Sequence, residues 1–277
     1  MSIDIVAAER NSTNIYEMNP ATNIDEVITA LEGIIAECIA SKSRLGYFAA
    51  LYLKVTQTVK QQIAAGQFGD GSQMEKLDVV FANRYLAAYN QWKNRQQPSV
   101  SWAVAFEQAE KASDLILQHL LMGMNAHINF DLGIAAVVVC GGKPIETLKP
   151  DFDAINMIIS ALTNQVLSEL DQVSPMLSLL GLHASNSNLA LIQFSIDNAR
   201  DGAWCFAEDL SQKKTNEREQ FIAQRDATIK KLGESLVVTK GMVSFTIWFI
   251  HLFEWKNVSK VIRVLNEYRK VKIVVNH

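Results

Sequence analysis

Cysteine is scarce in this sequence and odd in number. Cys38, Cys140 and Cys205 lie far apart, and no Cys-x-x-Cys occurs. That excludes a disulfide framework and a thiolate zinc site as organising elements, and a reducing cytoplasm is the expected location. Proline is equally sparse, with five in 277 residues, and no low-complexity linker or internal repeat is present. Basic blocks are missing too. The formal net charge is −3, and the Lys-Lys pairs at 213–214 and 230–231 are short, so nucleic-acid binding is not expected. Long apolar runs are also absent. The most apolar late segment, "GMVSFTIWFIHLFEW", has thirteen residues from Gly241 to Phe253 before Glu254. A span needs about 20 residues, so a buried helix is expected and no membrane span. The N-terminal "MSIDIVAAERNSTNIYEMNP" has early acidic residues and no apolar core, which does not fit a signal peptide. No GxGxxG, P-loop or GxSxG stands in a fitting context, so no nucleotide cofactor is indicated.

What the sequence does have is helical periodicity. Nearly half of it, 49%, is hydrophobic, enough to bury a substantial core. Thr22 or Asn23 is placed to cap a helix through "IDEVITALEGIIAECIA". A second helix follows in "RLGYFAALYLKVTQTVKQQIAAGQ", stopped near Gly66 and Gly69, and a third in "QMEKLDVVFANRYLAAYNQWKN", ending before Pro98. Ser99 and Ser101 precede a long helical run from Trp102 to about Asp131, and "CGGKP" at 140–144 breaks the chain. Asp151 or Asp153 starts another helix, and Ser174-Pro175 opens a shorter one. After the "ASNSN" loop at 184–188, helices are expected near 189–211, 215–235 and 240–270. The tail "KVKIVVNH" reads as a short strand or a frayed end. The fold class is therefore all-α, a single-domain multi-helix bundle over 23–277 behind a partly flexible extension at 1–22.

One stretch is anomalous. "QHLLMGMNAHINFDL" at 118–132 puts His119, Asn125, His127, Asn129 and Asp131 inside an apolar helix. Buried polar groups are costly unless paired, so these need partners from elsewhere. His127 and Asp131 are four apart, rise about 6 Å, and can meet. A metal needs its donors within about 2 Å of one point, and this pair satisfies that. His119 lies about 12 Å along the axis from His127, too far to share one ion. Gly123 sacrifices roughly 1 kcal/mol of helix propensity, which suits close approach by another helix or a ligand. Asn125 and Asn129 form an adjacent four-spaced amide pair, fit for substrate or ligand-orienting contacts.

Partners are sought in three further segments. In "DNARDGAWCFAEDL", Arg200, Trp204 and Glu208 share a stripe, and Arg200 is free to pair with Asp131 or bind an anion. Arg84 sits inside apolar "FANRYLAAY" as a structural partner or an anion clamp. His251 in "WFIHLFEW" is either a core histidine or a third ligand beside His127 and Asp131.

The blocks "GYFAALYLKVTQTV", "MEKLDVVFANRYLAAY", "SWAVAFE", "QHLLMGMNAHINFDLGIAA", "DFDAIN" and "ARDGAW" resemble, in order, those of a bacterial family known as domain of unknown function 5995. The resemblance covers roughly residues 40–210. It implies one helical unit, and it implies that the regions around Arg84, His119–Asp131 and Arg200–Trp204 belong to the family pattern. It implies no activity. A looser likeness to all-helical zinc phospholipases and nucleases stops at His and Asp four apart, because the motif order differs.

These readings set two expectations. The first is a metal-dependent, hydrolase-like enzyme for a small, anionic substrate, with Zn, Fe or Mn held by His127, Asp131 and His251. His119, Asn125, Arg84 and Arg200 then serve catalysis, and Asn129 and Trp204 contact the cofactor. The second is a metal-free helical ligand-binding or interaction protein whose His/Asn/Asp cluster is a polar pocket or structural network. A small molecule is the expected partner in both cases where a ligand is bound, and a homo-oligomer stays open.

Overall fold

A computed structural model describes residues 19–183 and 194–267. Among these residues there are eleven α-helices and no strand, as the all-α reading requires. The "ASNSN" loop and the "KVKIVVNH" tail lie outside the described residues. The helices are α1 (Ile24–Ser41), α2 (Leu45–Ala64), α3 (Gly71–Lys93), α4 (Val100–Glu110), α5 (Ile116–Ala126) and α6 (Leu132–Cys140). After these come α7 (Lys149–Val173), α8 (Ile196–Gln212), α9 (Thr215–Val237), α10 (Met242–Phe253) and α11 (Val258–Leu265).

Local chemistry sets many of the ends. Asn23 accepts from the Glu26 N–H at the start of α1, and Ser99 accepts from the Trp102 N–H at the start of α4. Gly141 ends α6 in the left-handed region, φ 57°, where glycine carries no Cβ penalty. Pro150 lies in the first turn of α7.

Two expected helices are broken in the structure. The run from Trp102 stops at Glu110 and restarts at Ile116. The run from 240 stops at Phe253 and restarts at Val258. One residue explains both breaks. Glu254 turns inward, and its buried carboxylate accepts from the Ile116 N–H at 3.2 Å and from Ser174 Oγ at 2.8 Å. It thus caps α5 from the end of α10. Asp226 of α9 does the same for α4, accepting from the N–H groups of Val100 and Ser101. Asp151 caps α3 through Gly69 and Asp70.

The central element is α5 continued by α6, an apolar helix from Ile116 to Cys140. By length and composition it could cross a membrane, but 72% of its most apolar window is buried inside the bundle. Helices α2, α4 and α9 pack around its first half, and α3 and α8 around its second. Two glycines make this closeness available. A Cβ on Gly123 would meet Phe48 of α2 at 2.5 Å, and one on Gly133 would meet the Ala203 carbonyl of α8 at 2.7 Å.

Candidate functional site

Between α5 and α6 the helix loosens by one residue. His127–Asp131 forms a π-turn, and the Leu132 N–H bonds to the carbonyl of His127, five residues back. Such insertions break the α-helical ladder and recur at functional sites. Both end residues are buried, His127 at 2% and Asp131 at 1% exposure.

Asp131 is the hub. Oδ1 accepts from Arg84 Nε at 2.6 Å, and Oδ2 accepts from the Trp102 indole N–H at 2.7 Å. Nδ1 of His127 lies 3.4 Å from the same Oδ2. A carboxylate only accepts, so the hydrogen on this ring belongs at Nδ1, and Nε2 is left with its lone pair. Burial holds the His127 pKa below the usual histidine range, although Asp131 pulls the other way; the ring is a neutral imidazole. It stacks flat on Phe81, with centroids 3.5 Å apart, and meets the Tyr52 ring edge-on at 4.5 Å.

His127 lines a cavity of about 260 Å³ between α2, α3, α5 and α7. The walls are mostly aliphatic and aromatic, among them Phe48, Val59, Leu120 and Leu162, and the half-exposed Leu167 also lines it. Four lining side chains have strong polar groups: Tyr52, Asp78, His127 and Arg200. Tyr52 Oη, Asp78 Oδ2 and His127 Nε2 are all buried without a hydrogen bond. The Thr56 hydroxyl, one turn on from Tyr52, lies beside it. Burial, with help from the nearby Glu75, pushes the Asp78 carboxyl up to about 7. Near neutral pH it therefore exists in both its acid and carboxylate forms.

The other residues singled out in the sequence fall elsewhere. Phe48, seated on Gly123, lies between His127 and His119. It borders both the large cavity and a second one of about 20 Å³ that His119 lines. His119 has no hydrogen bond, and burial, with Arg44 and His251, drives its pKa down to about 3. Asn125 donates to the Ile229 carbonyl at 2.9 Å, and Asn129 donates to Asn125 at 3.1 Å. Their amides fasten α9, and neither lines the cavity. Trp204 donates to Glu208 and packs on Phe152, also away from the cavity. Arg84, and not Arg200, pairs with Asp131. Arg200 donates to Asn156 and to the Phe152 carbonyl, joining α8 to α7. His251 stands 3.4 Å from Glu254 and acts electrostatically on His119; it does not join the His127–Asp131 pair.

These positions decide the fit of a metal. A divalent ion needs three or four donors around one point. Among the described residues no three His, Cys, Asp or Glu side chains converge in that way. Both Asp131 oxygens already accept hydrogen bonds, one of them from a guanidinium that would repel a cation. The donor set does not fit a metal centre.

Comparison with protein families adds one match. The model of a family of unknown function, DUF5995, aligns with residues 24–239. The chain belongs to DUF5995. The matched region is longer than the blocks at 40–210 and takes in α1 to α9, so it includes the cavity, the π-turn and Arg84. Helices α10 and α11 of this DUF5995 member lie beyond it. No curated protein and no solved structure matches the chain.

Periodicity and polar spacing left Tyr52, Asp78, Phe48 and Trp102 without a role at the site. One signal was available for Asp78, a lone carboxylate on the apolar side of α3, flanked by Leu77 and Val79. Trp102 gave another. An indole N–H in a buried helix needs an acceptor.

Proposed function

We propose that this protein binds a small, mostly apolar molecule carrying one neutral hydrogen-bonding group, such as a hydroxyl, in the cavity between α2, α3, α5 and α7. The observation that carries this reading is a mostly apolar cavity of about 260 Å³ whose lining residues include Tyr52, Asp78 and His127, each with a buried polar atom that has no hydrogen bond. Buried polar atoms normally have partners, and a small turn of these side chains toward a bound molecule would supply them. The volume is well above the roughly 150 Å³ of an apolar cavity that admits benzene. Neutral His127 offers an acceptor at Nε2, and Tyr52 offers a hydroxyl that both donates and accepts. A hydroxyl on the ligand complements both. A carboxylate would meet the lone pair of Nε2 and the partly ionised Asp78.

The arrangement of Asp131 favours one second reading. A carboxylate fixed by two donors and aligned on Nδ1 orients a histidine as a general base, so the bound molecule would also be positioned for proton removal. This reading needs the same cavity but adds a reaction.

The test is to purify the chain, extract it with organic solvent, and identify what is released by mass spectrometry. The same is done for Val55→Trp, which fills the cavity from a half-buried wall position. Recovery of a hydroxylated apolar compound from the wild type alone is expected. A folded wild type that carries none, and takes up none when offered apolar alcohols, contradicts the proposal.

A further inference from the structure

Helix α10 presents an apolar face that no described part of the chain covers. Met242, Phe245, Trp248 and Leu252 recur at helical spacing, and all are more than half exposed, Met242 at 80%. Phe253, the last residue of the helix, and Trp255, just beyond it, extend the patch. Single exposed apolar side chains are ordinary, but a continuous aromatic stripe marks a contact surface.

The face is held rigidly. Ile247 and Ile250, on the opposite side, are buried in the main core. Glu254 anchors the C-terminal end to Ile116 and Ser174, and the Trp255 N–H bonds to the Val173 carbonyl at 2.9 Å. Along α10, α11 and the residues beside them the exposed charged side chains are basic. From Lys240 to Arg263 these are Lys240, Lys256, Lys260 and Arg263, while the one carboxylate, Glu254, faces inward; exposed Glu234 and Glu267 stand just outside this segment. Residues 240–277 hold seven lysines and arginines against two glutamates, although the whole chain has a net charge of −3.

We propose that α10 is an interfacial helix that docks this protein onto an anionic lipid surface. At twelve residues it is about 18 Å long, too short to cross a bilayer but suited to lie in its plane. Phe245, Trp248 and Leu252 enter the headgroup–acyl boundary, and Trp255 and the lysines sit at headgroup level. The cationic rim decides against a second copy of this chain. A two-fold contact would set the patch against itself and bring like charges together. The matched family region ends at residue 239, so the surface lies outside it.

The test uses the full chain and sedimentation with vesicles of phosphatidylcholine alone or mixed with phosphatidylglycerol. Binding is expected only to the anionic vesicles, weakening as salt rises. Each of Lys256→Gln and Lys260→Gln should lower the partition coefficient about fivefold. Phe245→Ser/Trp248→Ser should abolish binding with an unchanged melting temperature, because both side chains are already exposed. Three results would overturn the proposal. One is no binding to anionic vesicles at low salt. Another is a dimer in solution that Trp248→Ser dissolves, which would assign the face to a second copy. The third is a Trp248 shielded from a soluble quencher in the free chain, which would mean that another segment covers it.

Discussion

Replacing Gly123 with alanine sets two effects of opposite sign against each other. On an open helix the change stabilises by about 1 kcal/mol, because glycine is the poorer helix former. At this position the new Cβ would lie 2.5 Å from Cγ and Cδ2 of Phe48 and 2.9 Å from its Cβ. Those atoms are at the root of the side chain, so swinging the ring tip relieves little. Either α2 retreats from α5 or the ring tilts into its neighbours, Tyr85, Trp102 and His127, whose centroids lie 5.1–5.6 Å away. Overpacking of this kind costs about 1–3 kcal/mol, and contacts this short belong at the upper end. The expected net result is a loss of about 1–2 kcal/mol, read as a lower urea midpoint at an unchanged slope. A double-mutant cycle isolates the cause. Phe48→Ala alone costs about 3–5 kcal/mol. In that background Gly123→Ala should be neutral or stabilising, leaving a coupling of about 2 kcal/mol between the sites. Strict additivity, or a stabilised Gly123→Ala single variant, would refute the claim that Phe48 packs on bare backbone at Gly123.

Three other outcomes follow from the same contacts. Asp78→Asn should stabilise above about pH 7 and change little below about pH 4: the folded carboxyl titrates near 7, above its unfolded value, so the folded state holds an extra proton in that window and wild-type stability falls as pH rises. The gain is at most about 4 kcal/mol, and denaturation midpoints that differ equally at both ends would contradict it. Trp102→Phe removes one donor from Asp131 but leaves Arg84; it should cost about 1.5–3 kcal/mol and raise the His127 pKa, because Oδ2 is then left to His127, which an NMR titration of the ring will detect. Asp226→Ala uncaps α4, should cost about 1–2 kcal/mol, and should speed amide exchange at Val100 and Ser101 before other sites.

The sequence was most informative where structure is local. Asn23, Ser99 and the Cys140–Pro144 breaker set ends that neighbouring residues control. It was least informative where an end is capped from afar. Glu254 acts on Ile116 across 138 positions, and no window of periodicity contains both. The polar stripe had the same limit. Spacing showed that His127 and Asp131 meet, and that Gly123 admits a close neighbour. It did not show which arginine reaches Asp131, nor that the amides of Asn125 and Asn129 turn toward α9, since both depend on how distant helices rotate. The cavity was hidden for a related reason. Its polar wall combines Tyr52, Asp78 and His127 from three separate segments, each of which reads as ordinary core when taken alone.

The measurement that tests the central claim most directly is a calorimetric titration with a series of primary alcohols of increasing chain length. Wild type, His127→Phe and Val55→Trp would be run in parallel, with the matching alkanes as controls. Wild-type affinity should rise with chain length until the cavity is full, the alcohols should bind more tightly than the alkanes, His127→Phe should narrow this difference while Tyr52 keeps part of it, and Val55→Trp should bind neither. Equal binding by wild type and Val55→Trp, or no preference for the hydroxyl, would contradict the claim.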